Sequence, residues 1–91
     1  MHETGIVRDL VRRVDQAAKR AGALRVTGIT VWLGALSQFS ASHFREHFDE
    51  DAKGTLAEHA TLTIETSSDA TDPNALHVML RDIELEVEES A

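Results

Sequence analysis

The chain begins Met1-His2-Glu3, and these three residues can form a metal chelate by themselves. The α-amine of Met1, the backbone nitrogens of His2 and Glu3, and the His2 imidazole can all reach one ion. Successive backbone nitrogens close five-membered rings, and the imidazole completes the fourth side. Four nitrogens in a plane suit Ni(II) or Cu(II) and do not suit Zn(II). The amine and imidazole must first lose protons, from reference pKa values of roughly 7.7–8.0 and 6.5, so mild acid should abolish binding. A helix follows directly. Its positive end opposes a cation, but it favours a neutral amine over an ammonium, and deprotonated amides would bring negative charge to it. Such a site is shallow and exposed, which suits an ion that is handed on. Taken alone, the tripeptide also reads as an ordinary start followed by a solvated histidine.

A second constellation is His43-Phe44-Arg45-Glu46-His47, which fits the zinc-peptidase pattern H-x-x-E-H. On a helix His43 and His47 share a face and could grip a metal. A peptidase also needs a distant third ligand and a substrate cleft, and the chain is short for both. The pair sits one position off the apolar stripe of Phe44 and Phe48, which places it at the rim of the core or in water. Adventitious metal binding is the more credible chemistry here. His59 and His77 are single residues that read as solvated or hydrogen-bonded. Ser37, Ser40 and Ser42 make no nucleophile–base set with the carboxylates. No glycine-rich loop is present to cradle a phosphate, so GTP hydrolysis is not expected of this chain.

The chain of 91 residues is long enough for one hydrophobic core and too short for two. With 42% hydrophobic and 27% charged residues it reads as a globular protein, not a disordered one. No apolar run approaches a membrane span, and the first residues lack the pattern of a signal peptide. There are no cysteines, which removes any disulfide or thiolate zinc site and leaves the cytoplasm as the default compartment. Charge is unevenly spread: residues 1–45 carry +4 and residues 46–91 carry −11. The one basic cluster is Arg8, Arg12, Arg13, Lys19 and Arg20, interleaved with Asp9 and Asp15. That alternation reads as a solvated helix face, and the acidic second half argues further against nucleic acid.

Five elements must position these groups. Ile6, Leu10, Val14 and Ala18, flanked by Val7, Val11 and Ala21, form a stripe of helical period, which predicts a helix over 4–21. Lys19 and Arg20 suit its negative end and Gly22 its stop. The stretch 24–34 is rich in β-branched residues and predicts a strand. Val26 and Trp32 fall in one phase and Ile29, Val31 and Leu33 in the other, so both faces should be covered. A second helix follows, capped by Ser40 or Ser42, with Phe44 and Phe48 inward and Gly54 ending it. Residues 60–65 alternate cleanly as a half-buried strand, with Ala60, Leu62 and Ile64 inward. The following segment, "TSSDATDPNA", is a loop. The last strand, 76–88, has Leu76, Val78 and Leu80 in one phase but Ile83, Leu85 and Val87 in the other. Both sets face inward only if a bulge near Arg81-Asp82 resets the pleat. The order α-β-α-β-β predicts a single small α/β (α+β) domain, with two helices on a three-stranded mixed sheet.

"MHE" before an amphipathic helix, then "GALRVTGITVWLGALS", then a helix leading to "GTLAEHATLTIE", resembles the hydrogenase nickel-incorporation protein family (HypA/HybF). The likeness runs through residues 1–66, and "RDIELEV" resembles the family's closing strand. Members are small metallochaperones that bind nickel at the N-terminus and serve [NiFe]-hydrogenase, and in some organisms urease. The resemblance implies that Met1, His2 and Glu3 ligate Ni(II). It implies as partners a nickel-handling maturation GTPase and the hydrogenase large-subunit precursor. Members usually insert a zinc-binding lobe with two Cys-x-x-Cys pairs between the last two strands. Here the loop 67–75 stands in that place, so no structural zinc is expected. Three readings follow: a nickel metallochaperone; a metal-free docking module for a maturation GTPase or hydrogenase subunit; and a hydrolase using His43, Glu46 and His47. A homodimer through the last strand is a further expectation, because a small core without the lobe gains from a partner.

Overall fold

The computed structural model of the protein describes residues 3–88. Its elements run α1 (Glu3–Arg20), β1 (Ala23–Leu33), α2 (Ala41–Asp51), β2 (Thr61–Thr66) and β3 (Val78–Val87). The sheet order is β2-β1-β3, with β1 parallel to β2 and antiparallel to β3. This is the mixed sheet expected of the α-β-α-β-β order. A parallel pair needs a crossover, and α2 is that crossover.

The α1 stripe is buried as the spacing requires: Val7, Leu10, Val11, Val14 and Ala18 all lie in the core. Ile6 is only partly covered, and Ala21 lies exposed beyond the helix end. Gly22 adopts φ +71, and its N–H donates to the Lys19 carbonyl, so a residue without a Cβ closes the helix. Against this stripe pack Val26, Ile29, Val31 and Leu33 of β1, Phe44 and Phe48 of α2, and Leu62 of β2. Burying each of these large side chains contributes about 1.5–3 kcal/mol before chain entropy is subtracted.

The phase of β1 differs from expectation. Val26 was expected to share a face with Trp32, but it is buried with Ile29, Val31 and Leu33. Its pairing explains why. Val26 stands opposite Leu85 and Gly28 opposite Glu84, so Thr27 is an extra residue that shifts the pleat by one. The Thr27 hydroxyl donates to the Glu84 carbonyl at 3.2 Å. Trp32, left on the other face, is only half-covered, so β1 is central in the sheet without being buried on both sides.

In β3 the expected bulge is present. Thr30 pairs with Asp82 and Val31 with Leu80, leaving Arg81 as the extra residue. Val78, Leu80, Ile83 and Leu85 therefore all stand beside inward residues of β1. The strand is shorter than expected, and Leu76 lies before it, 71% exposed. Coverage is incomplete: Leu80 remains 40% and Val87 51% exposed, because the two helices concentrate over β1 and β2.

One polar contact ties α1 to the segment after α2. The Asp15 carboxylate accepts the Leu56 N–H at 2.9 Å and lies 3.0 Å from the Lys19 ammonium. The Leu56 hydrogen bond, assisted by Lys19 and opposed by partial burial, holds the Asp15 carboxyl below its usual range. A lowered carboxyl pKa stabilises the fold above the unfolded value, and that stability is lost as pH falls through the folded value. Asp15→Ala should cost about 1–2 kcal/mol by leaving the Leu56 N–H without its acceptor. Asp15→Asn should cost less, and it should flatten the loss of stability that the native protein shows as pH falls below about 4. Urea midpoints measured against pH check both outcomes.

Candidate metal centre

Met1 and His2 lie outside the described residues, and Glu3 is the first residue of α1. The proposed ligands Met1 and His2 therefore have no described geometry, and helix α1 begins at Glu3, one residue earlier than the spacing predicts.

The other metal-capable group is on α2. Ser40 caps this helix in extended conformation, and its Oγ accepts the His43 N–H at 3.1 Å. Ser42, the alternative cap, falls inside the helix, with its hydroxyl 3.3 Å from that of Ser40. The helix runs to Asp51, and Gly54, at φ +79, lies in the turns that follow. Phe44 and Phe48 are buried, which locks the rotation of the helix about its axis. The Arg45 guanidinium donates to the Leu62 carbonyl at 3.0 Å, fixing α2 to β2.

With the helix so held, His43 and His47 stand one turn apart at the rim of the core, each half-buried. Their Nε2 atoms are 2.9 Å apart and their ring centroids 4.6 Å apart. At that distance the N–H of one ring donates to the Nε2 of the other, the tautomers setting which ring is the donor. Phe39 supports the first ring, with its centroid 5.9 Å from His43 and an edge-on contact to Phe44 at 5.5 Å. Phe39 is buried although it precedes the helix, a role that its place in "SQFSAS" gave no periodicity to reveal. Among the described residues no group of three or more His, Cys, Asp or Glu side chains converges as a metal cluster would.

Three of the five cations on α1, Arg12, Arg13 and Lys19, pair with acids of the same helix. Asp9 receives Arg12 at 2.7 Å and Arg13 at 2.6 Å, and these hydrogen bonds, Arg12 first, hold its carboxyl below the usual range. All three side chains are solvated, so Asp9 offsets part of the positive charge of an exposed helix face. The loop before β3 is built from side chain–backbone turns, in which Asp69 accepts from Thr71 and Asp72 from Asn74. It docks on the end of β1 through Gly34 N–H to His77 and Leu36 N–H to Ala75. A Cβ on Gly34 would come within 2.3 Å of the Ala75 carbonyl oxygen, so only glycine permits this approach.

Two helices on a three-stranded mixed sheet define the chain as a small α+β domain. Residues 1–72 match the family described as "Hydrogenase/urease nickel incorporation, metallochaperone, hypA", and the chain belongs to that family. Similar relatives include the hydrogenase maturation factor HypA of Picosynechococcus, 39% identical over 72% of this chain and 58% of that protein. HypA of Geotalea daltonii is 42% identical over 71% of this chain and 56% of its own. HybF of Salmonella typhimurium is 37% identical over 71% of this chain and 58% of its own. The chain thus spans a little under three-fifths of the length of these relatives. The solution structure of the Ni metallochaperone HypA from Helicobacter pylori has the same fold. It superposes with a TM-score of 0.79 at 20% identity, covering 97% of this chain and all of that one.

Ser40→Ala should lower stability by about 1 kcal/mol, the usual worth of an N-cap. It should also speed hydrogen exchange at the His43 amide, whose N–H loses its acceptor; urea unfolding and amide exchange measure the two effects.

Proposed function

We propose that this chain is a nickel metallochaperone that holds Ni(II) at its N-terminus and passes it to the hydrogenase maturation machinery. The observation that carries this reading is the family match, which begins at residue 1 and so includes Met1-His2-Glu3. The proposed ligands are the Met1 amine, the His2 imidazole and the backbone nitrogens of His2 and Glu3, in the plane that Ni(II) prefers. The chain is a carrier and not a catalyst, and its cargo is a substrate of the transfer. Residues 1–91 form one nickel-binding domain in this reading, with the loop 67–75 in place of a zinc lobe and no zinc needed to hold it. Its partners are a nickel-handling maturation GTPase and the hydrogenase large-subunit precursor, reached through α1 and the acidic edge of β3. No helix among the described residues is long and apolar enough to cross a membrane, which is compatible with work in the cytoplasm.

The test is a nickel titration of protein whose first residue is Met1. One equivalent should bind with the yellow absorption of a square-planar ion. That species should disappear in His2→Ala and when any residue is added before Met1, because the amine then becomes an amide. It should also fade below about pH 6, where the imidazole and amine hold their protons. It should survive the double substitution His43→Ala, His47→Ala. If no planar nickel species forms, the carrier reading fails and a metal-free docking module takes its place.

A further inference from the structure

We propose that His43 and His47 form a second divalent-cation site, built on α2, for a nitrogen-preferring first-row ion such as Ni(II). Three observations converge on it. The first is distance. Two imidazole nitrogens bound about 2.0–2.1 Å from one ion at a right angle lie roughly 2.9 Å apart. The His43 and His47 Nε2 atoms stand 2.9 Å apart, whereas a tetrahedral angle would spread such a pair to roughly 3.3 Å.

The second is direction. The ring centroids are only 4.6 Å apart. Two rings meeting head-on across that Nε2–Nε2 distance would stand further apart, so the nitrogens are inclined off the line joining the rings. Inclined nitrogens can converge on an ion beside that line, which would take the place of the proton that the two rings share in their hydrogen bond.

The third is rigidity and charge. Buried Phe44 and Phe48, the Arg45 bond to Leu62 and the Phe39 ring fix the helix face that carries the pair. The helix also carries Glu46, Asp49, Glu50 and Asp51 against the single Arg45, an excess of negative charge that favours a cation. A preorganised pair loses little side-chain entropy on binding. Two ligands leave the remaining positions of the ion to water or to an incoming donor, so the site would be of modest affinity and rapid exchange.

The experiment titrates Ni(II) into His2→Ala protein, in which the N-terminal chelate cannot form. Calorimetry reads affinity, and nitrogen-detected spectra of the imidazoles read which atoms respond. The expected result is one ion bound at an affinity on the order of micromolar, with the Nε2 resonances of both His43 and His47 shifted. His43→Gln and His47→Gln should each weaken it by no less than the roughly 10- to 100-fold that loss of an outer partner costs a metal site. His59→Gln should leave it unchanged. Helical circular dichroism shows that the variants fold. Absence of nickel binding in His2→Ala protein, or binding that survives both glutamine substitutions, overturns the proposal and leaves the N-terminal reading intact. Loss of all nickel in the His43/His47 double variant, with none lost in His2→Ala, supports it and sinks the N-terminal reading instead.

Discussion

The fold depends on the inward face of β1, because every other element is placed by burying something against it. Val26, Ile29, Val31 and Leu33 meet the α1 stripe, the two buried phenylalanines of α2 and Leu62 in a single apolar cluster. β1 also pairs on both edges, parallel to β2 and antiparallel to β3, so it fixes the register of the whole sheet. Among the described residues only one face of that sheet is packed. A core built on one face leaves little tolerance for phase errors, since a slip by one residue would turn a strand's apolar set to water. The extra residues Thr27 in β1 and Arg81 in β3 keep the apolar side chains on the packed side.

This constraint explains where metal chemistry can sit. α1, which begins at Glu3, must lie along β1. α2 must turn Phe44 and Phe48 inward, and that rotation places His43 and His47 together at the rim. Charge follows the same division. The cations of α1 are partly neutralised by Asp9, while most of the acid lies from α2 onward, in residues 46–91. Arg25, on the outer side of β1, pairs with Glu86 of β3, one of the few links between the two charge territories.

Much of this was legible in the residues. The α1 stripe, the Phe44/Phe48 pair and the alternation around Leu62 have clear periods, and burial follows them. The β3 bulge was legible for a particular reason: two apolar triplets stood in opposite phases, and only an extra residue reconciles them. The β1 bulge left no such trace. Val26 and Trp32 made a plausible second face, so the shift at Thr27 was masked by an apolar residue on either side of the pleat. Ser40 and Ser42 were indistinguishable as caps until the backbone of α2 selected the former. The H-x-x-E-H pattern gave the shared face of His43 and His47, but not the close approach of their Nε2 atoms, which depends on side-chain rotation and on the Phe39 wall. The proposed Met1-His2-Glu3 chelate rests on the chemistry of the residues, since Met1 and His2 lie outside the described residues, and on a family match that begins at residue 1.

X-ray absorption at the nickel edge of protein loaded with one equivalent at neutral pH tests the central claim most directly. The account predicts a four-coordinate planar ion with nitrogen donors only, marked by the pre-edge feature of square-planar geometry and a single imidazole. A six-coordinate ion with two imidazoles and oxygen donors would contradict it, because the cargo would then rest on the α2 histidines and not on the first residues of the chain.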